Sequence, residues 1–123
     1  TVKAQTIEKT QNQQGFAILT QIDSYRYIEL DEYFIKSFKI SNEPGSANSG
    51  NTGEVSYSLI IVVAEYDEYP EFNFFKIGPF ISPNINFQKN SNNSLLIEIE
   101  SGNLLNRVKT SYEVSSDLTI IEN

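Results

Sequence analysis

Residues 54–65, EVSYSLIIVVAE, decide the fold. Val55, Tyr57, Leu59, Ile61 and Val63 fall on one side of an extended chain, and Ser56, Ser58, Ile60, Val62 and Ala64 on the other. A period of two with so many β-branched residues specifies a strand. The second side begins polar and turns apolar. This pattern predicts a central strand whose far end is covered on both faces.

The same period recurs on either side. Leu95, Ile97 and Ile99 alternate with Glu98 and Glu100, and Ile85 and Phe87 alternate with Asn84, Asn86 and Gln88. Leu104, Val108, Thr110, Tyr112 and Val114 share a face opposed by Arg107, Lys109, Ser111 and Glu113. Phe34, Phe38 and Ile40 share another, with Lys36 as the exception, and Phe16, Ile18, Thr20 and Ile22 form a further apolar row. Residues 25–30 and 118–121 are shorter candidates. Turn residues punctuate the chain at 11–15, 41–53, Gly78-Pro79, Ser82-Pro83, 90–93 and Gly102-Asn103. No segment of ten residues has a helical apolar period. The expectation is an all-β chain: an antiparallel β-sandwich or jelly roll of about 8–10 short strands, with a closed β-barrel as the alternative. It forms a single domain over 1–123, in which 1–14 serves as an edge strand or an arm, and 2–10 is polar and β-prone.

Composition narrows the function. Nine Lys and Arg stand against sixteen Asp and Glu, a net charge of −7, and the basic residues are scattered. Such a field repels a phosphate backbone and an anionic membrane, so neither nucleic acid nor membrane insertion is expected. The chain begins at Thr1 and contains no Met, which suggests a mature product or an excised piece. An extracellular, cell-surface or virion location fits that reading.

His and Cys are both absent, so the usual Ser-His and Cys-His pairs cannot be built and no enzyme is expected. Ser37 lies near Lys36 and Lys39, but adjacent strand residues point to opposite faces. Glu98 and Glu100 stand about 6–7 Å apart on one strand face, a spacing that any wet sheet face also offers. With His missing, calcium is the cation left open, and Asp67, Glu68 and Glu71 are its donors of choice, although no calcium-loop spacing occurs. No other cofactor is implied.

The densest unusual segment is Glu65-Tyr66-Asp67-Glu68-Tyr69-Pro70-Glu71-Phe72. Tyrosine offers a flat apolar body and a polar tip, and carboxylates beside it accept hydrogen bonds. Tyr66, Asp67, Glu68 and Tyr69, joined by Tyr27, are therefore the expected ligand-binding residues. The function expected is a non-catalytic recognition module on a cell or virion surface that takes a glycan or a protein receptor. In architecture such a domain looks like carbohydrate-binding modules and viral tail-fibre heads, a likeness of fold class alone. The alternative is a structural or assembly subunit, a homo-oligomer joined by strand addition through the N-terminal segment.

Overall fold

A computed structural model of the protein describes residues 17–46 and 55–123. The expected arm over 1–14, the turn at 11–15 and most of the 41–53 loop lie outside the described residues.

Eight strands run in the described chain: β1 (Ile22–Glu29), β2 (Tyr33–Ser41), β3 (Tyr57–Glu65), β4 (Asn73–Phe80), β5 (Asn84–Lys89), β6 (Leu95–Ser101), β7 (Val108–Val114) and β8 (Ile120–Glu122). They form two four-stranded antiparallel sheets in the orders β1-β2-β3-β4 and β5-β6-β7-β8. The molecule is thus a β-sandwich of two consecutive meanders. Neither the crossing connections of a jelly roll nor a closed barrel is formed.

Short turns explain the meanders. Leu30 donates to the Tyr33 carbonyl at 2.9 Å, Asn90 to Ser94 at 2.9 Å and Ser115 to Thr119 at 3.1 Å, each closing a hairpin. The sheets share one core. Tyr33, Ile35, Leu59, Ile61 and Val63 from the first meet Leu95, Ile97, Ile99 and Val114 from the second. Strand β3 is central and covered on both sides at its far end, since Val62 and Ala64 are buried along with Leu59, Ile61 and Val63. At its near end Ser56 and Ser58 are buried yet satisfied. The Asn42 amide donates to their hydroxyls at 2.8 and 3.2 Å.

Three expectations are corrected. The apolar row Ile18, Thr20 and Ile22 is not a strand, because Ala17–Gln21 is a 3₁₀ turn in which the Thr20 hydroxyl donates to the Ala17 carbonyl at 2.7 Å. Gly78-Pro79 does not break the chain. The pairing steps from Leu59↔Ile77 to Tyr57↔Phe80, so one extra residue is absorbed in β4 as a bulge. Gly78 makes this conformation accessible at φ +128°, and Pro79 sits on an edge strand, where proline is tolerated. Leu104 does not continue the face of β7, because it lies in the β6–β7 loop, almost wholly exposed.

Candidate functional site: an aromatic outer face

Residues opposite one another in an antiparallel ladder share a face. The registers therefore give the outer surface of the first sheet row by row. One row is Tyr27, Lys36, Val62 and Phe74, and the next is Tyr25, Phe38, Ile60 and Lys76. Glu29, Phe34 and Ala64 make a third. The inner positions of β2 are Tyr33, Ile35 and Ser37. Strand β2 is thus apolar on both sides, and the face carrying Phe34, Phe38 and Ile40 looks away from the core.

The outer rings form a connected chain. Tyr27 lies 5.7 Å from Phe34, Phe34 lies 5.5 Å from Tyr66 and 6.4 Å from Phe72, and Phe72 lies 6.4 Å from Phe74. Tyr25 and Phe38 pair at 5.0 Å farther along. These separations fall in the range of favourable tilted contacts. Phe74 is nonetheless 70% exposed, and Tyr25, Tyr27, Tyr66 and Phe72 are also exposed. Beside the rings Ile18, Leu19, Ile22, Phe38, Ile40, Ile60, Val62 and Phe74 line an apolar groove of about 280 Å³. The outer face of the second sheet is the opposite in character. Asn84, Glu100 and Lys109 form one row there, and Asn86, Glu98 and Ser111 the next.

The structure divides the expected site. Tyr27 and Tyr66 meet on the aromatic face, both against Phe34. The Tyr66 hydroxyl donates to the Leu30 carbonyl at 3.2 Å, which fixes the ring and occupies its proton. Desolvation, and then the charge of Glu29, push both phenols above their ordinary pKa, so they stay protonated well past neutrality. Asp67 and Tyr69 go elsewhere, lining a shallow acidic pocket of about 250 Å³ with Glu65, Pro70, Glu71 and Leu118. Glu68 is exposed and lines neither place. Among the described residues no group of three carboxylates is arranged to hold a metal ion.

Phe34 and Phe74 lie outside the expected site residues. The signal for them was Lys36, a charge in the middle of an apolar row. A buried face does not tolerate an unpaired lysine, whereas an outer face does. Lys36 here lies 5.8 Å over the Phe34 ring.

The remaining chemistry is occupied. Glu100 binds Arg107 at 3.2 Å and Glu98 approaches Lys109 at 3.8 Å, so each carboxylate has a cation. Ser37 and Lys39 do share a face, but the Lys39 ammonium is held by Asp23 at 3.3 Å and stands 4.6 Å from the Tyr57 ring centre. The β6–β7 loop carries a second apolar feature, Leu104 and Leu105 at 98% and 92% exposure. The Asn103 carboxamide fixes their backbone by accepting from Leu105 and Asn106 at 3.1 and 2.9 Å. No helix among the described residues is long and apolar enough to cross a membrane.

Comparison with protein-family models, with curated proteins and with solved structures finds no match. Geometry therefore carries the functional reading.

Proposed function

We propose that this domain is a non-catalytic recognition module that binds a protein receptor, presented at a cell or virion surface, through the outer face of its first sheet. One observation carries the reading: a connected chain of five rings, with Tyr27, Tyr66, Phe72 and Phe74 exposed around a half-buried Phe34, on a sheet face that would ordinarily be polar. Contiguous exposed aromatics are the residues that dominate protein interfaces. A glycan fits this face less well. The groove beside the rings is lined by apolar side chains alone, and the Tyr66 hydroxyl is spent on Leu30. Sugar hydroxyls would find few partners there.

Charge narrows the partner. Glu29 and Asp31 act on the Tyr66 phenol, and Glu65 and Asp67 flank it in sequence, so one end of the face is acidic. The receptor surface that complements it has an apolar centre and a basic margin.

Parallel screening of the wild-type domain on protein and glycan arrays, with Phe74→Ser and Tyr66→Ala variants, tests the reading. The expected result is protein binding weakened by about 1–3 kcal/mol in each variant, with unchanged melting temperature for Phe74→Ser. Binding confined to glycans, or unaffected by both variants, overturns it. A wild-type dimer in light scattering that Phe74→Ser returns to monomer would assign the face to self-assembly instead.

A further inference from the structure

The inner face of the first sheet holds a second anomaly. Its rows read Ser24, Lys39, Leu59, Ile77 and then Arg26, Ser37, Ile61, Phe75. The half on β3 and β4 is apolar, as a sandwich interior should be. The half on β1 and β2 is not. It places a guanidinium, an ammonium and two hydroxyls on the side of the other sheet, where β1 leaves the sandwich open and Ser24 and Arg26 are exposed. Facing them are Pro83, Ile85 and Phe87 from the start of the second sheet, and between the two lies a pocket of about 300 Å³.

We propose that this pocket between the sheets is a binding site for a small sugar acid, a single ring with hydroxyls and one carboxylate. The site shares Tyr25 with the margin of the outer face but none of the rings Tyr27, Phe34, Tyr66, Phe72 and Phe74, and it does not rest on the reading of that face.

Four features define the ligand. The charge comes first. Lys39 is neutralised by Asp23 at 3.3 Å, whereas Arg26 makes no ion pair among the described residues. The site thus offers one uncompensated positive charge within a molecule of net −7, which suits a monoanion and disfavours a phosphate dianion. The fork of Arg26 is held in place, with its central carbon 5.2 Å from the Phe87 ring centre, and a guanidinium matches a carboxylate with two parallel hydrogen bonds. Ser24 and Ser37 supply hydroxyls, and Ser37 is only 2% exposed, so its hydroxyl faces the interior. Pro83, Ile85, Phe87 and Leu59 supply the apolar wall on which the carbon face of a ring can rest. The volume is at the small end of ligand pockets, which run from about 300 to 1,000 Å³. It suits one ring, whether free or at the end of a polysaccharide.

The test is a titration of the full chain, followed by two-dimensional NMR, with glucuronate, galacturonate, glucose, galactose, acetate and inorganic phosphate at one ionic strength. At least one uronate should bind with shifts at Ser24, Arg26, Ser37 and Phe87, and the matching neutral sugar should bind about tenfold more weakly or not at all. Arg26→Gln, a change at an exposed side chain, should cost about tenfold or more in uronate affinity and leave the melting temperature unchanged. Binding to the receptor-facing surface should be untouched by that variant, so the two sites can fail independently. Uronate-terminated and free-ring ligands, compared as a second pair, tell which source fits. The proposal is overturned if neither uronate binds, if acetate or phosphate binds as well as the uronates, if Arg26→Gln binds like wild type, or if the shifts fall on Phe34, Tyr66, Phe72 and Phe74 instead.

Discussion

At the scale of single residues Tyr33 ties the two sheets together. Its ring is fully buried on β2, and its hydroxyl donates to the carbonyl of Asn93 at 2.7 Å, in the β5–β6 turn, and to that of Val114 at 3.3 Å, on β7. Tyr33→Phe keeps the ring and deprives those carbonyls of a donor, so it should lower stability by about 1–2 kcal/mol in urea unfolding. Burial, and then the charges of Asp117 and Glu113, hold the Tyr33 phenol above its ordinary pKa. A folded-state value above the unfolded one stabilises the fold fully below about pH 10 and withdraws that contribution as pH rises through the folded value. The urea midpoint of the wild type should therefore fall in strong alkali, and this part of the fall should be missing in Tyr33→Phe. Asp117 acts in the opposite direction. Its carboxylate accepts from the Thr119 hydroxyl at 2.6 Å and is held below its ordinary pKa, so its contribution is present at neutral pH and lost as pH falls through the folded value.

At the scale of elements the bulge in β4 shows how a strand passes over a proline. A methyl group at Gly78 would stand 3.1 Å from the Ser58 Cα, the Ser58 Oγ and the Tyr57 carbonyl oxygen, at a φ of +128° that L side chains rarely adopt. Gly78→Ala should cost about 1–3 kcal/mol, measured as a lowered urea midpoint with an unchanged slope. Strands were legible where one side was plainly polar, as in Leu95–Ser101, where Glu98 and Glu100 mark the wet face. Strand β2 defeated that reading. Phe34, Phe38 and Ile40 alternate with Tyr33, Ile35 and Ser37, and both sets look like a core. Apart from Lys36, what shows which set faces the second sheet is the packing of Tyr33 and Ile35 against it, a long-range property that alternation does not contain. The candidate site was half legible for the same reason. Tyr27 and Tyr66 stood out by composition, but Phe34, which brings them together, passed as interior. The inner pocket was hidden altogether. Arg26 and Lys39 are far apart in sequence and become neighbours only when β1 folds back on β2.

At the scale of the whole molecule the order of the chain and the order of the sheets coincide. The first sheet is made from residues 22–80 and the second from 84–122. One short link therefore joins the two layers. Its first residues already belong with the second sheet, because Gly102 donates to the Ile81 carbonyl at 2.8 Å and Arg107 to the Ser82 carbonyl at 2.9 Å. The seam lies just before Ile81. A nick there removes no strand pairing and no rung of either ladder, and leaves the shared core and the hydrogen bonds of Tyr33 to hold the halves together. Fragments 1–80 and 81–123, made separately, should regain the native circular dichroism and near-ultraviolet tyrosine signal on mixing, with a midpoint that rises with concentration. Fragments that stay inert toward each other would mean that the core and the Tyr33 hydrogen bonds cannot repay the entropy of bringing two chains together. Success would make the domain a two-part reporter, in which two proteins fused to the halves are read out by the reassembly of a sandwich.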